Sequence, residues 1–393
     1  MVDDLPGHFQ SVVSLRRALW SNRLKAIDIL DIHLERFRRT NAALNAIVYL
    51  DANGALQSSL ALDEQIARCR EEALRDRLLA GIPVTVKDHI AAAGMPLTAG
   101  DPGRRGNISR RDSPVVARLR CGAATLLGKT NQPLGGTDWQ THNALYGITE
   151  NPWRRGYTPG GSSGAGAASV AAGLSGVDFG SDTSGSLRIP ASFCGVYAHR
   201  PSRGLLPRQW ARAARARDAG PALMEIGPIA RSAEDLALAL RAAASVPVRG
   251  SGLATLTGVR AVFLPMPRWC PVDAEIAQAY EDLAHLLARK GALVQWRPTA
   301  AGWNARAIRD LPRSYGRLQR GIDDRGSTSR LRGNAAADRR LAGRVVGPRA
   351  DIHAAAGVAA ARTTGTIPRR AARLLRRRKS SYQPRRPGEG ISA

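Results

Sequence analysis

The chain has 393 residues, 44% of them hydrophobic, and 58 Lys+Arg against 32 Asp+Glu give it a formal charge of +26. That length can bury a sizeable core, as one large α/β unit or as two or three ordinary domains. No run of about 18 apolar residues offers a membrane span, and Met1–Trp20 lacks the apolar stretch of a signal peptide.

The four cysteines, Cys69, Cys121, Cys194 and Cys270, stand far apart with no CxxC pair. This usage fits reduced thiols in a cytoplasm rather than a disulfide frame or a zinc site. The positive charge is uneven, because residues 301–393 hold 22 Lys+Arg against 6 Asp+Glu. The basicity therefore belongs largely to the last quarter, and no basic stripe on the body advertises nucleic acid.

In chain order, residues 24–40 place Ile27, Leu30, Leu34 and Phe37 at helical spacing, an amphipathic helix packing on a core rather than docking a partner. A second helix is expected over 55–79. Residues 82–86 form a short apolar, β-branched run that reads as a buried strand, with Lys87 at its end. A lysine is almost never buried unpaired. One emerging from a core strand loses stability in its charged form, and a lowered pKa is what a general base near neutral pH requires.

Ser113-Pro114 starts a helix, Gly122 closes it, and 123–128 reads as the next strand. Ser232-x-x-Asp235 gives a start related to the capping box before Leu236, Leu238 and Leu240. A strand over 259–264, a helix over 273–290 ended by Gly291 and a strand over 293–296 follow. Repeated alternation of helix and strand points to an α/β fold with a mixed or mostly parallel sheet. From Gly302 the texture turns to Ala, Arg and Gly, with a nearly continuous positive block over Arg369–Arg378 that reads as a disordered or interaction tail.

Two clusters of glycine and serine stand between Thr158 and Gly204. Gly160-Gly161-Ser162-Ser163-Gly164 precedes an Ala-rich apolar helix, and Asp182-Thr183-Ser184-Gly185-Ser186 follows Val177-Asp178-Phe179-Gly180 and runs into Leu187-Arg188-Ile189-Pro190. Either alone reads as a flexible turn. Together, and with Gly81-Ile82-Pro83-Val84-Thr85-Val86-Lys87-Asp88 upstream, they make a pattern too long for chance.

With these motifs the chain resembles the amidase signature family from about residue 24 to residue 295. The resemblance implies an α/β fold with a mixed β-sheet core covered by helices on both sides. Residues 1–80 would be an N-terminal helical segment, 81–300 the core, and 301–393 a tail that leaves the C-terminal part incomplete. It implies a serine–cis-serine–lysine triad in which Ser186 is the nucleophile, Ser162 the bridging serine and Lys87 the base. The backbone N–H groups of Thr183, Ser184, Gly185 and Ser186 would form the oxyanion hole, with Gly160, Gly161, Ser163, Asp182 and Arg188 in support. The implied activity is hydrolysis of a small-molecule carboxamide with no metal and no cofactor. No membrane is involved, nucleic acid is disfavoured as a partner, and a homodimer is left open.

Departures are small. Ala165 and Ser184 stand where the family pattern has glycine, and His199 stands at a usually apolar position. A glutamine-hydrolysing subunit of a tRNA-dependent amidotransferase shares the triad, but such subunits tend to have Gln where this chain has Ile189. Gly160-x-Ser162-x-Gly164 also satisfies the elbow of α/β-hydrolases formally, yet no strand is expected before it. Gly164-x-Gly166-x-x-Ser169 lacks the third glycine of a dinucleotide fingerprint. A nucleic-acid-binding protein rests on the tail alone, and that tail reads equally as a gene continued out of frame beyond residues 305–325.

Overall fold

A computed structural model of the chain describes residues 10–207, 223–248, 255–266 and 271–297. Cys270 and the expectations for the Arg-rich tail lie outside these residues. The described residues belong to two compact units, one reaching Val248 and the other starting at Arg249.

The first unit opens with α1 (Val12–Trp20), α2 (Ala26–Leu44), β1 (Ile47–Leu50), α3 (Ala52–Arg68), α4 (Arg70–Leu74) and β2 (Pro83–Lys87). It continues with α5 (Pro114–Cys121), β3 (Thr125–Thr130), the short pair β4 (His142–Asn143) and β5 (Gly147–Ile148), and α6 (Gly164–Ala171). β6 (Val177–Asp182), α7 (Arg188–Cys194), β7 (Tyr197–Ala198), β8 (Glu225–Ala230) and α8 (Ala233–Ala243) complete it.

Six strands form one sheet in the order β1-β3-β2-β6-β8-β7. β3, β2 and β6 run parallel, while β1, β8 and β7 are antiparallel to their neighbours. The sheet is therefore mixed. Strand alternation sends Val84, Val86, Val177 and Phe179 to a core shared with α1, α3, α4, α5 and α8. Leu127 and Ile229 join a second core with α2, α6 and α7. Helices thus cover both faces, and the polar residues Thr85, Lys87 and Asp178 lie on the α6 side.

Several expected elements differ in detail. The helix expected over 55–79 is two helices, because Cys69 adopts an extended backbone (φ −151°, ψ 96°) that ends α3 and starts α4. The break turns Ala73 and Leu74 into the core. β3 begins two residues later than expected: Ala123 takes a left-handed turn (φ 54°) after α5 and cannot extend a strand there. Ser232 Oγ caps α8 by accepting from Asp235 N–H at 3.0 Å. Asp235 does not reciprocate. Its carboxylate accepts from Val13 N–H at 3.0 Å and so caps α1, while Arg231 donates to the Gln10 carbonyl at 2.8 Å.

The second unit contains β9 (Arg260–Phe263), α9 (Ala274–Arg289) and β10 (Leu293–Trp296). Its two strands are parallel, as a crossover through a helix requires. Phe263, Tyr280 and Trp296 cluster with ring centroids 5.0–5.8 Å apart.

Candidate active site

The C-terminal ends of parallel strands are where α/β sheets commonly hold ligands. Lys87 ends β2 at such a place and is completely buried. Its Nζ lies 2.6 Å from Ser162 Oγ, 3.0 Å from Ser163 Oγ and 3.4 Å from Ser181 Oγ. Burial lowers the Lys87 pKa to about 7, with the carboxylates of Asp178 and Asp182 pulling the other way. A lysine neutral near pH 7 has a lone pair to offer a hydroxyl.

The serines are delivered by the turn into α6. The peptide bond Gly161–Ser162 is cis, and both Ser162 and Ser163 are buried. Thr141 Oγ1 donates to the Gly160 carbonyl at 2.8 Å and accepts from Gly164 N–H at 3.1 Å, which fastens the loop at both ends. Ser163 Oγ donates to the Ser181 carbonyl at 3.2 Å. That approach needs Gly180, where an added Cβ would sit 2.5 Å from Ser163 Oγ.

Ser186 joins the group through its backbone, its carbonyl accepting from Ser163 N–H at 3.1 Å. Its Oγ makes no hydrogen bond among the described residues. Asp182 organises the loop that carries it. The buried carboxylate accepts from Gly185 N–H at 2.8 Å and from Leu187 N–H at 3.2 Å, and Arg188 grips both oxygens at 2.9 Å. Burial works to raise the Asp182 pKa, but these donors outweigh it and hold the group below the usual carboxylate range. Gly185 is at φ +111°, a conformation costly for any other residue.

Because Asp182 takes the Gly185 N–H, the donors without an acceptor among the described residues, of the four expected at the oxyanion hole, are those of Thr183, Ser184 and Ser186. The two departures are accommodated: Ala165 is buried inside α6, and Ser184 does not need a positive φ. His199 is held elsewhere, its N–H donating to the Pro228 carbonyl at 3.1 Å. Residues 151–163 form bends and turns with no strand before Gly160, so the hydrolase elbow is excluded.

Reading the residues alone missed Ser181, Thr141 and Asp178. Asp178 carried a signal, as an ionisable residue between the apolar Val177 and Phe179 of a buried strand. No group of three or more potential metal ligands occurs among the described residues, and no helix among them is long and apolar enough to cross a membrane.

Comparison with known proteins gives a consistent picture. Over 234 residues the chain is 39% identical to a glutamyl-tRNA(Gln) amidotransferase component from Cyanothece sp., covering 60% of this chain and 47% of that one. It is 33% identical over 290 residues to indoleacetamide hydrolase of Bradyrhizobium diazoefficiens, covering 72% and 55%. The chain thus spans about half the length of the curated relatives it matches. A solved bacterial aryl acylamidase of the amidase signature family superposes with a TM-score of 0.71 at 26% identity, over 85% of this chain and 71% of that one. The model of the family described as Amidase matches residues 28–300, and the chain belongs to that family.

Proposed function

We propose that the chain is a serine amidase that hydrolyses a carboxamide through an acyl-enzyme, with Ser186 as nucleophile, Ser162 as proton bridge and Lys87 as base. The observation that carries this reading is the buried Lys87 Nζ, 2.6 Å from Ser162 Oγ at the start of α6. An amide is a poor electrophile with a poor leaving group. It calls for an activated nucleophile, a stabilised oxyanion and a proton for the departing nitrogen.

Ser186 Oγ attacks the amide carbon and passes its proton to Ser162, which hands its own to neutral Lys87. The N–H groups of Thr183, Ser184 and Ser186 receive the developing oxyanion in this reading, which the engagement of Gly185 N–H by Asp182 supports. Lysine returns a proton through Ser162 to the leaving amine, and water then releases the carboxylate by the same relay. The reaction proceeds in the cytoplasm on a small-molecule amide.

The protonation of Lys87 sets the pH dependence. Its pKa is lowered to about 7, so the base form is present above that pH and is lost as pH falls through it. kcat/KM should decline about tenfold per pH unit on the acid side. Ammonia release, screened across aliphatic, aromatic and urea-type amides, tests the activity and narrows the substrate. Turnover abolished by EDTA and restored by zinc would refute the metal-free mechanism.

A second reading follows from the amidotransferase relative. In it the chain releases ammonia from glutamine for a protein partner. Ile189 speaks against it, and co-purification with such a partner would reverse the preference.

A further inference from the structure

One buried ionisable group near the serines takes no part in that relay. Asp178 lies on β6 opposite Thr85 of β2, and Lys87 follows two residues along the same face, about 7 Å further on. The Asp178 side chain is completely buried. Oδ1 accepts from Thr85 Oγ1 at 2.7 Å and from Thr130 Oγ1 at 3.1 Å, and Thr130 is itself the strand partner of Lys87. Among the described residues Oδ2 has no hydrogen-bond partner. The backbone of α6 presses on it at Gly166, where an added Cβ would sit 2.1 Å from Oδ2.

A carboxylate sealed in this way is costly to ionise unless a nearby positive charge offsets it. Resting on the triad reading above, we propose that Asp178 is a positioning residue for Lys87, a sealed carboxyl whose charge sets the pH at which the lysine becomes a base.

The surrounding groups decide the sign. β2 presents Lys87, with Asp88 and His89 just beyond it, and β3 presents Lys129. β6 adds Asp182. β8 contributes Glu225, and Arg231 follows it, bound to the carbonyls of Val170 and Ser175. α6 carries no ionisable residue. Burial raises the Asp178 pKa to about 7, while Thr85, Thr130, Lys87 and Lys129 favour the ionised form. An ionised Asp178 favours the ammonium form of Lys87 and thus moves the onset of activity to higher pH.

The test is the pH dependence of covalent labelling of Ser186 by a fluorophosphonate ester, which reads nucleophile activation without a known substrate. Asp178→Asn should move the midpoint of the acid limb down by about one pH unit. Thr85→Val, which removes a hydrogen bond favouring the ionised carboxyl, should move it the same way by less. A purely structural role for Asp178 would change the labelling amplitude and leave the midpoint in place. An unmoved or raised midpoint in folded Asp178→Asn overturns the proposal. If that variant is unfolded by circular dichroism, the same result in Thr85→Val overturns it, and failure of both to fold assigns Asp178 to folding instead. Lys87→Ala separates the two readings. Labelling of that variant at the wild-type rate refutes the triad, whereas a silent Lys87→Ala beside an unmoved Asp178→Asn midpoint refutes only the role of Asp178.

Discussion

Lys87 and Lys129 stand on adjacent strands and both are completely buried, yet their surroundings differ in kind. Lys129 Nζ donates to the Ile90 carbonyl, an acceptor that has no proton to give. Burial lowers its pKa to about 8, with Asp88 and Asp178 opposing. Burial does comparable work on Lys87, but there the neighbours are serine hydroxyls, which both donate and accept. A dry setting makes a lysine able to lose its proton. The partners decide whether that proton goes anywhere useful.

This contrast can be broken at several points. Ser186→Ala should have the largest effect, a loss of at least about 10⁴-fold in kcat with an unchanged circular dichroism spectrum. Lys87→Ala should cost about 10³–10⁴-fold in kcat/KM at pH 8. Retention of most activity would remove the distinction between the two lysines. Ser162→Ala should lose about 10²–10³-fold, because water can partly bridge Ser186 and Lys87.

Asp182→Asn sharpens the comparison from the side of the loop. It replaces a carboxylate that accepts from two backbone N–H groups and from Arg188, and thermal unfolding should report a loss of about 2–3 kcal/mol. Lys129→Met should have the smallest effect, with kcat/KM at pH 8 within about threefold of wild type, since a flexible apolar side chain replaces a buried charge. A collapse of turnover in that variant would give Lys129 a part in the chemistry.

How much of this was legible in the sequence depended on how local its cause was. The serines, Lys87 and the Asp182–Arg188 loop were legible because each motif shapes its own turn within a few residues. The mixed sheet followed from repeated alternation, though the antiparallel edges did not, since β8 returns beside β6 from more than 40 residues downstream. Asp178 looked like a strand residue until β2 and β3 brought Thr85 and Thr130 to it. Cys69 gave no warning of the break after α3, because the gain comes from burying Ala73 and Leu74 in a core assembled by distant segments. Asp235 was expected to cap its own helix, and its partner proved to be Val13.

That last contact bears on how the molecule comes into being. Val13 and Asp235 are 222 residues apart. At synthesis rates of roughly 5–20 residues per second, α1 emerges on the order of 10–45 seconds before the residue that caps it. Every serine of the site is made in that interval, before Arg231 and Asp235 close over the N-terminal helix. A nascent chain halted at residue 230 would carry the whole reactive sequence with α1 unclasped, and protease should cut near Val12 in that species and spare it in the longer chain.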